Sequence, residues 1–265
     1  MLARTLPYAV PLALFAPDAL AWGLQTHLFL AQAALALMPF ADPSLRSAVA
    51  RLPHLLLAGA CLPDLFLAGR ILGTPAFVRA HRWSTLRRIA AAPRSDEERV
   101  LAAGYASHLV SDVVAHNFFV PEHEARLVNV PHATHALAEW AMDRYLGNRM
   151  EVKALLSLCA VAPFVARAFH CDAAIARRAL GTLSAADGWL RASPIPWLCR
   201  KLVDTAPFDA WMTRATATLH GIETALTGAR VDWVDLDPEG GGGDEAAQGR
   251  ARQHVARVVQ PQHDA

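Results

Sequence analysis

The sequence predicts an all-α fold built as a single helical domain, and three observations predict it. Apolar residues recur at helical spacing in long runs, as in LQTHLFLAQAALALM at 24 to 38. No stretch alternates apolar and polar residues over the length of a strand, and Pro and Gly punctuate the runs at intervals a helical domain would need. A length of 265 residues suits one sizeable domain, and a hydrophobic fraction of 54% is ample for its core.

The first helix spans 24 to 38, and Pro43 separates it from a second run near 45 to 58. Gly59-Ala60-Cys61-Leu62-Pro63-Asp64 then breaks the pattern. Pro63 biases Leu62 away from helix, which leaves Asp64 in a loop or at a helix start. A third helix runs from about 96 to 119, with Ser95 as N-cap and Glu97 and Glu98 near its positive end. Pro121 stops it, and the next run covers 132 to 146, closed by Gly147. Further helical runs fall at 151 to 169, 172 to 191 and 205 to 227, the last two separated by the turn-rich SPIPW at 193 to 197. The apolar stretch 154 to 164 is too short to span a bilayer and contains Pro163, so it reads as a core helix.

The two ends differ in composition from the rest. Arg4, the apolar stretch 6 to 16 and the small-x-small sequence Ala19-Leu20-Ala21 form the three parts of a signal peptide, residues 1–21. Cleavage would leave Trp22 as the mature N-terminus of a helical domain at 22–233. Export to the periplasm or outside the cell is therefore expected, with no stable transmembrane anchor, because the apolar stretch is short and contains Pro7 and Pro11. Residues 234–265, rich in Gly and charge, read as a flexible tail dispensable for chemistry. A formal charge of +1 gives no polyanion-binding signal, so no nucleic-acid partner is expected. Cys61, Cys159, Cys171 and Cys199 lack a CxxC spacing. They could form one or two disulfides, Cys159 with Cys171 for instance, or remain buried thiols.

The chemistry concentrates in YASHLVSDVVAHNFFV at 105 to 120, which places His108, Asp112 and His116 four residues apart. Such positions share one helix face, drifting roughly 40° per step, among apolar neighbours that leave little polar surface. Two imidazoles and a carboxylate in hydrocarbon are unfavourable unless they bind one another or a metal. An α-helical spacing of about 12 Å between His108 and His116 is too wide for one ion. It suits a chain of ions bridged by the two oxygens of Asp112. His135 and Glu139 form a second pair at helical spacing that can share one ion, on a surface kept small by Ala133, Ala136 and Ala138. The freed amine and the carbonyl of Trp22 could chelate a metal with His27 close by, and Asp64 and His81 complete the set. His54, His123 and His132 lie near these motifs as lesser candidates, while Phe118, Phe119, Trp83 and Trp140 could line an apolar entrance or belong to the core.

WGLQTH at 22 to 27, Pro63-Asp64, AHRW at 80 to 83, HLVSD at 108 to 112, His116 and HALAE at 135 to 139 together resemble the zinc-dependent phospholipase C family. The resemblance spans residues 22 to 147 and follows the family's order. Ligands in a similar order occur in single-strand-specific zinc nucleases, and Glu139, where those carry Asp, leans towards the phospholipases. The resemblance implies an all-α fold around a buried trinuclear zinc site. Asp64, His81, His108 and Asp112 would hold the first ion; His116, His135 and Glu139 the second; Trp22, His27 and the far oxygen of Asp112 the third. It also implies a phosphodiesterase acting on phospholipid at a membrane surface by attack of a zinc-bound hydroxide on phosphorus, with Asp64 as catalytic general base. The alternatives are a zinc nuclease on the same frame and a catalytically silent zinc-stabilised binding module.

Overall fold

The structure, a computed structural model, describes residues 23–124, 131–147 and 149–227, without the side chains of residues 124 and 131–135. The expected signal peptide, Trp22 and the tail at 234–265 lie outside the described residues, as do the side chains of His132 and His135. The described chain is helical throughout and contains no strand, in agreement with the all-α expectation.

Helices α1 (Leu24–Leu37), α2 (Pro43–Arg51), α3 (Pro53–Ala60), α4 (Leu65–Leu72) and α5 (Trp83–Ala90) precede the central helix α6 (Asp96–Val114). A π-helical turn (Ala115–Phe119) continues α6 into α7 (Val120–Glu124). After it come α8 (Pro131–Leu146), α9 (Val152–Leu156), α10 (Val161–Ala168), α11 (Ala173–Ala192), α12 (Ile195–Leu202), α13 (Phe208–Thr218) and α14 (Ile222–Thr227).

Several boundaries differ from the sequence reading. Pro53, which has no N–H to give to a preceding turn, splits the second run at Leu52 and takes the first position of α3 instead. The helix then continues through Gly59 to Ala60, so Gly59 does not break it. The run at 151 to 169 forms two short helices, and 205 to 227 is interrupted by a 3₁₀ turn at Leu219–Gly221. SPIPW is not only a separator: Pro196 sits within the first turn of α12, which the sequence reading missed along with α4 and α5. The most consequential difference is the π turn, because α6 was expected to stay α-helical through residue 119. All four cysteines are free thiols, so no staple joins Cys159 and Cys171. Burial pushes the Cys199 thiol up to about 12.

Helix α6 is the axis of the domain. Ser95 caps it by accepting from the Glu98 N–H, and Asp96, Glu97 and Glu98 place negative charge at its positive end. Every residue from Val100 to Val114 is buried, packed against α1, α2, α3, α5, α13 and α14. The tightest of these contacts is with α3, and two glycines make it. A Cβ on Gly104 would stand 2.0 Å from the Leu56 carbonyl oxygen, and one on Gly59 would stand 2.2 Å from that of Leu101. The two backbones touch with no side chain between them.

No single described helix is long and apolar enough to cross a membrane. Trp83, Phe119 and Trp140 are buried in the core and Phe118 is half-buried, which favours the core reading of these aromatics over a lined entrance.

Candidate metal centre

Four elements bring the predicted residues together: His27 from the first turns of α1, Asp64 from the residue preceding α4, His81 from the turn before α5, and His108 with Asp112 from α6. Asp64 occupies the N-cap position of α4 yet its carboxylate accepts no capping hydrogen bond there. It faces His81 instead, with Oδ1 3.4 Å from His81 Nε2 and 3.9 Å from His108 Nε2. Asp112 Oδ2 lies 3.0 Å from His108 Nε2 and 3.8 Å from His81 Nε2, and its other oxygen lies 3.1 Å from His27 Nε2. The rings of His27 and His108 stack with centroids 3.5 Å apart. Two groups able to hold a metal ion result, His27 with His108 and Asp112, and Asp64 with His81 and His108.

The hydrogen bonds behind these rings fix their tautomers. His108 Nδ1 lies 2.7 Å from the Ala60 carbonyl oxygen, which can only accept, so Nδ1 carries the proton. The neutral ring then presents a lone pair at Nε2, aimed at Asp112 and 3.3 Å from His81 Nε2. His27 repeats the arrangement. Ser111 gives its hydroxyl proton to the His108 carbonyl, leaving Oγ to accept from His27 Nδ1 at 3.1 Å, and His27 Nε2 turns its lone pair to Asp112. Lone pairs and carboxylate oxygens converging in a space with essentially no solvent access repel one another unless a cation lies between them. The donor set of imidazole nitrogen and carboxylate oxygen fits zinc.

The Gly59–Gly104 contact reaches this site directly. Gly104 lies one turn before His108, and the close approach it permits brings the last carbonyl of α3, that of Ala60, to the imidazole. Tyr105 ties down the other side by donating its hydroxyl to the Ala80 carbonyl, next to His81.

The electrostatics agree with a cation-binding centre. Burial alone would push the Asp112 carboxyl up, but positive charge at the flanking His108 and His27 positions holds it well below the usual carboxylate range, a charge that a bound cation supplies when both rings are neutral. Glu139 on α8 is fully buried; that burial, with Asp112, Asp64 and Asp143 nearby, pushes its carboxyl well above the usual range. The other carboxylate of α8, Asp143, accepts from the backbone N–H groups of Gln25 and Thr26 and from the Thr26 hydroxyl, capping α1 from outside and fixing the turn that carries His27. Burial pushes Asp143 up to about 7 against those hydrogen bonds.

Not every expected ligand joins the two groups. His116 is half-buried in the π turn that follows α6. Neither it nor Glu139 belongs to either described group, and the partner expected for both, His135, has its side chain outside the described residues. Of the lesser candidates, His54 is exposed, and His123 is buried among Phe119 and Phe208, its Nδ1 2.8 Å from the Phe119 carbonyl oxygen. The residues that orient the ligands, Ser111, Gly59, Gly104 and Asp143, were not singled out from sequence as parts of the site. Glycines inside helical runs were the available signal, since each costs about 1 kcal/mol relative to alanine unless a close approach uses it.

No curated protein and no solved structure matches the chain. The sequence profile of the family described as zinc dependent phospholipase C matches residues 26–180, more than half of the chain and all of the described metal-binding groups. An all-α domain whose buried imidazoles and carboxylates converge as a zinc centre requires agrees with that match, and the chain belongs to the zinc-dependent phospholipase C family.

Proposed function

We propose that this chain is an exported zinc-dependent phosphodiesterase that hydrolyses phospholipids in the manner of a phospholipase C. The observation that carries the reading is Asp112, whose two oxygens face different imidazole lone pairs, His27 on one side and His108 on the other. A carboxylate so placed suits a bridge between two ions.

Asp64, His81, His108 and Asp112 are the residues we assign to one ion, and His27 with the second oxygen of Asp112 to another. Trp22, once freed by cleavage after residue 21, would add its amine and carbonyl there; Gly23 and the start of α1 at Leu24 keep it close to His27 in the chain. His116, His135 and Glu139 make the remaining set, supported by the burial of Glu139 among carboxylates that a cation would neutralise. Bound zinc supplies Lewis acidity, which brings the pKa of a coordinated water towards neutrality and offsets the charge of the phosphoryl group.

The side chains have separable tasks. Ala60 and Ser111 hold His108 and His27 in the tautomer that turns the Nε2 lone pair towards Asp112. Asp64 differs from the other members of the two groups in being partly open, its side chain 15% exposed against 0–2% for His27, His81, His108 and Asp112. It is the carboxylate placed to meet a substrate and to take a proton from the attacking water, the general-base role assigned to it.

The test is a protein beginning at Trp22, assayed for release of phosphocholine from phosphatidylcholine and of nucleotides from single-stranded DNA, with and without a chelator, together with zinc counted per chain. Chelator-sensitive phosphocholine release with three zincs supports the proposal; nucleotide release points to the nuclease, and silence on both to a binding module. Asp64→Asn should abolish turnover while most of the zinc remains, and full activity in that variant would remove its catalytic role.

A further inference from the structure

Helix α12 turns Ile195, Pro196 and Cys199 into the domain, where it packs along α8, the helix of His135 and Glu139. Its other side is apolar as well. Trp197, Leu198 and Leu202 are 53%, 46% and 55% exposed, so one eight-residue helix holds three of the seven large hydrophobic side chains exposed among the described residues. Two cations share that surface: Lys201 Nζ lies 5.9 Å from the centre of the Trp197 ring, and the Arg200 guanidinium lies 5.7 Å from that of Tyr145 on α8. The helix contains no acidic residue, and Trp189 stands exposed on the last turn of α11 just before it. A soluble surface spreads its apolar side chains singly, whereas this helix gathers a tryptophan, two leucines and two positive charges.

We propose that this face of α12 is a docking surface for a phospholipid bilayer. Trp197 sits at headgroup level, Leu198 and Leu202 enter the boundary with the acyl chains, and Arg200 and Lys201 lie against lipid phosphates. Charge complementarity selects the partner, because a bilayer presents phosphate at every point where the two cations could land, and anionic lipid would add to the attraction. Since α12 lies along α8, docking here brings the helix of Glu139 towards the lipid. The exposed residues of α12 lie outside the family match at 26–180. The choice of lipid as partner rests on the phospholipase reading above.

The test compares the wild type with Trp197→Ala/Leu198→Ala/Leu202→Ala, both beginning at Trp22, by flotation on ice, using vesicles of phosphatidylcholine alone or with phosphatidylserine. Turnover is read in parallel on those vesicles and on a short-chain phosphatidylcholine kept monomeric. The wild type should float, more strongly with phosphatidylserine, and the triple variant should lose about tenfold or more of its vesicle binding. Its vesicle turnover should fall by the same factor with monomeric turnover unchanged. Arg200→Glu/Lys201→Glu should lose the preference for phosphatidylserine. A triple variant that floats like the wild type overturns the proposal. So does a wild type that ignores vesicles, or one that forms a dimer without lipid which the triple variant dissolves, since the face then belongs to a second copy. Wild-type flotation lost in the triple variant, with neither substrate hydrolysed, supports the docking surface and removes the phospholipase reading instead.

Discussion

Gly104→Ala tests whether the metal centre depends on the backbone contact beneath it. The added methyl would stand 2.0 Å from the Leu56 carbonyl oxygen, 2.9 Å from the Ala60 nitrogen and 2.9 Å from the Gly59 Cα, all of them backbone atoms that no rotamer change can move. Restoring ordinary contact requires α3 and α6 to separate by about 1 Å or more. The Ala60 carbonyl lies 2.7 Å from His108 Nδ1, so such a separation breaks the hydrogen bond that fixes the ring. Overpacking costs about 1–3 kcal/mol and can exceed that against backbone, while replacing glycine inside a helix returns about 0.5–1 kcal/mol. The net loss is on the order of 2 kcal/mol, and in a domain of this size it lowers Tm by about 4–8 °C. Zinc affinity should fall by about 10- to 100-fold once His108 loses the Ala60 carbonyl behind its ring. Gly181→Ala on α11 is the control, because its Cβ would meet nothing within 4 Å. It should leave Tm unchanged or raise it slightly. Thermal unfolding and competitive zinc titration read both effects. A Gly104→Ala protein that melts and binds zinc like the wild type refutes the reasoning, and so does a Gly181→Ala protein that loses as much stability.

Three further outcomes are expected. Asp112→Asn should lose at least one zinc per chain and essentially all turnover, because an amide offers a single neutral oxygen where two charged ones face His27 and His108; full zinc content with full activity would show the bridge to be drawn wrongly. Ser111→Ala should weaken zinc binding by about 10- to 100-fold with the helix content intact, since His27 loses the acceptor that fixes its tautomer, and an unchanged zinc affinity would exclude that role. Asp143 is raised to about 7 in the folded protein, so the folded state holds a proton that the unfolded chain releases above about 4. Its contribution to stability is therefore complete below the unfolded value and is lost as pH rises towards 7, by at most about 1.4 kcal/mol per pH unit. Asp143→Asn keeps an acceptor for Thr26 and removes that slope; denaturant curves for the two proteins should diverge between about pH 5 and 7 and run parallel above it. Curves parallel throughout would mean that Asp143 titrates normally.

The parts of this fold legible in the sequence were those carried by local signals. Ser95, the acidic turn after it and the apolar run beyond gave the start of α6, and Gly147, with φ at +64°, marks the end of α8 as expected. The residues of the centre were legible by chemical type, because His and Asp inside apolar helical runs need a partner. Their supporting shell was not. Ser111 reads as an ordinary helical serine, and only the structure shows that giving its proton to the His108 carbonyl leaves it an acceptor for a ring 84 residues away in the chain. The π turn escaped for a related reason: α and π windings share the same residue preferences, and the choice between them depends on packing around residues 115–119.

That turn interrupts the regular spacing of His108, Asp112 and His116. Equal four-residue steps imply three side chains on one face of a straight helix, with Asp112 midway between His108 and His116. In the structure His108 and Asp112 keep the α-helical relation, with Oδ2 and Nε2 3.0 Å apart, but the other oxygen of Asp112 is met by His27 from α1. The two oxygens of Asp112 are therefore met from two helices rather than along one. His116 falls within the π turn, while α6 remains continuous up to Val114. A change of winding at residues 115–119 leaves the two residues before it, His108 and Asp112, in their α-helical relation, so the pair that meets His27 and His81 is set by α6 alone.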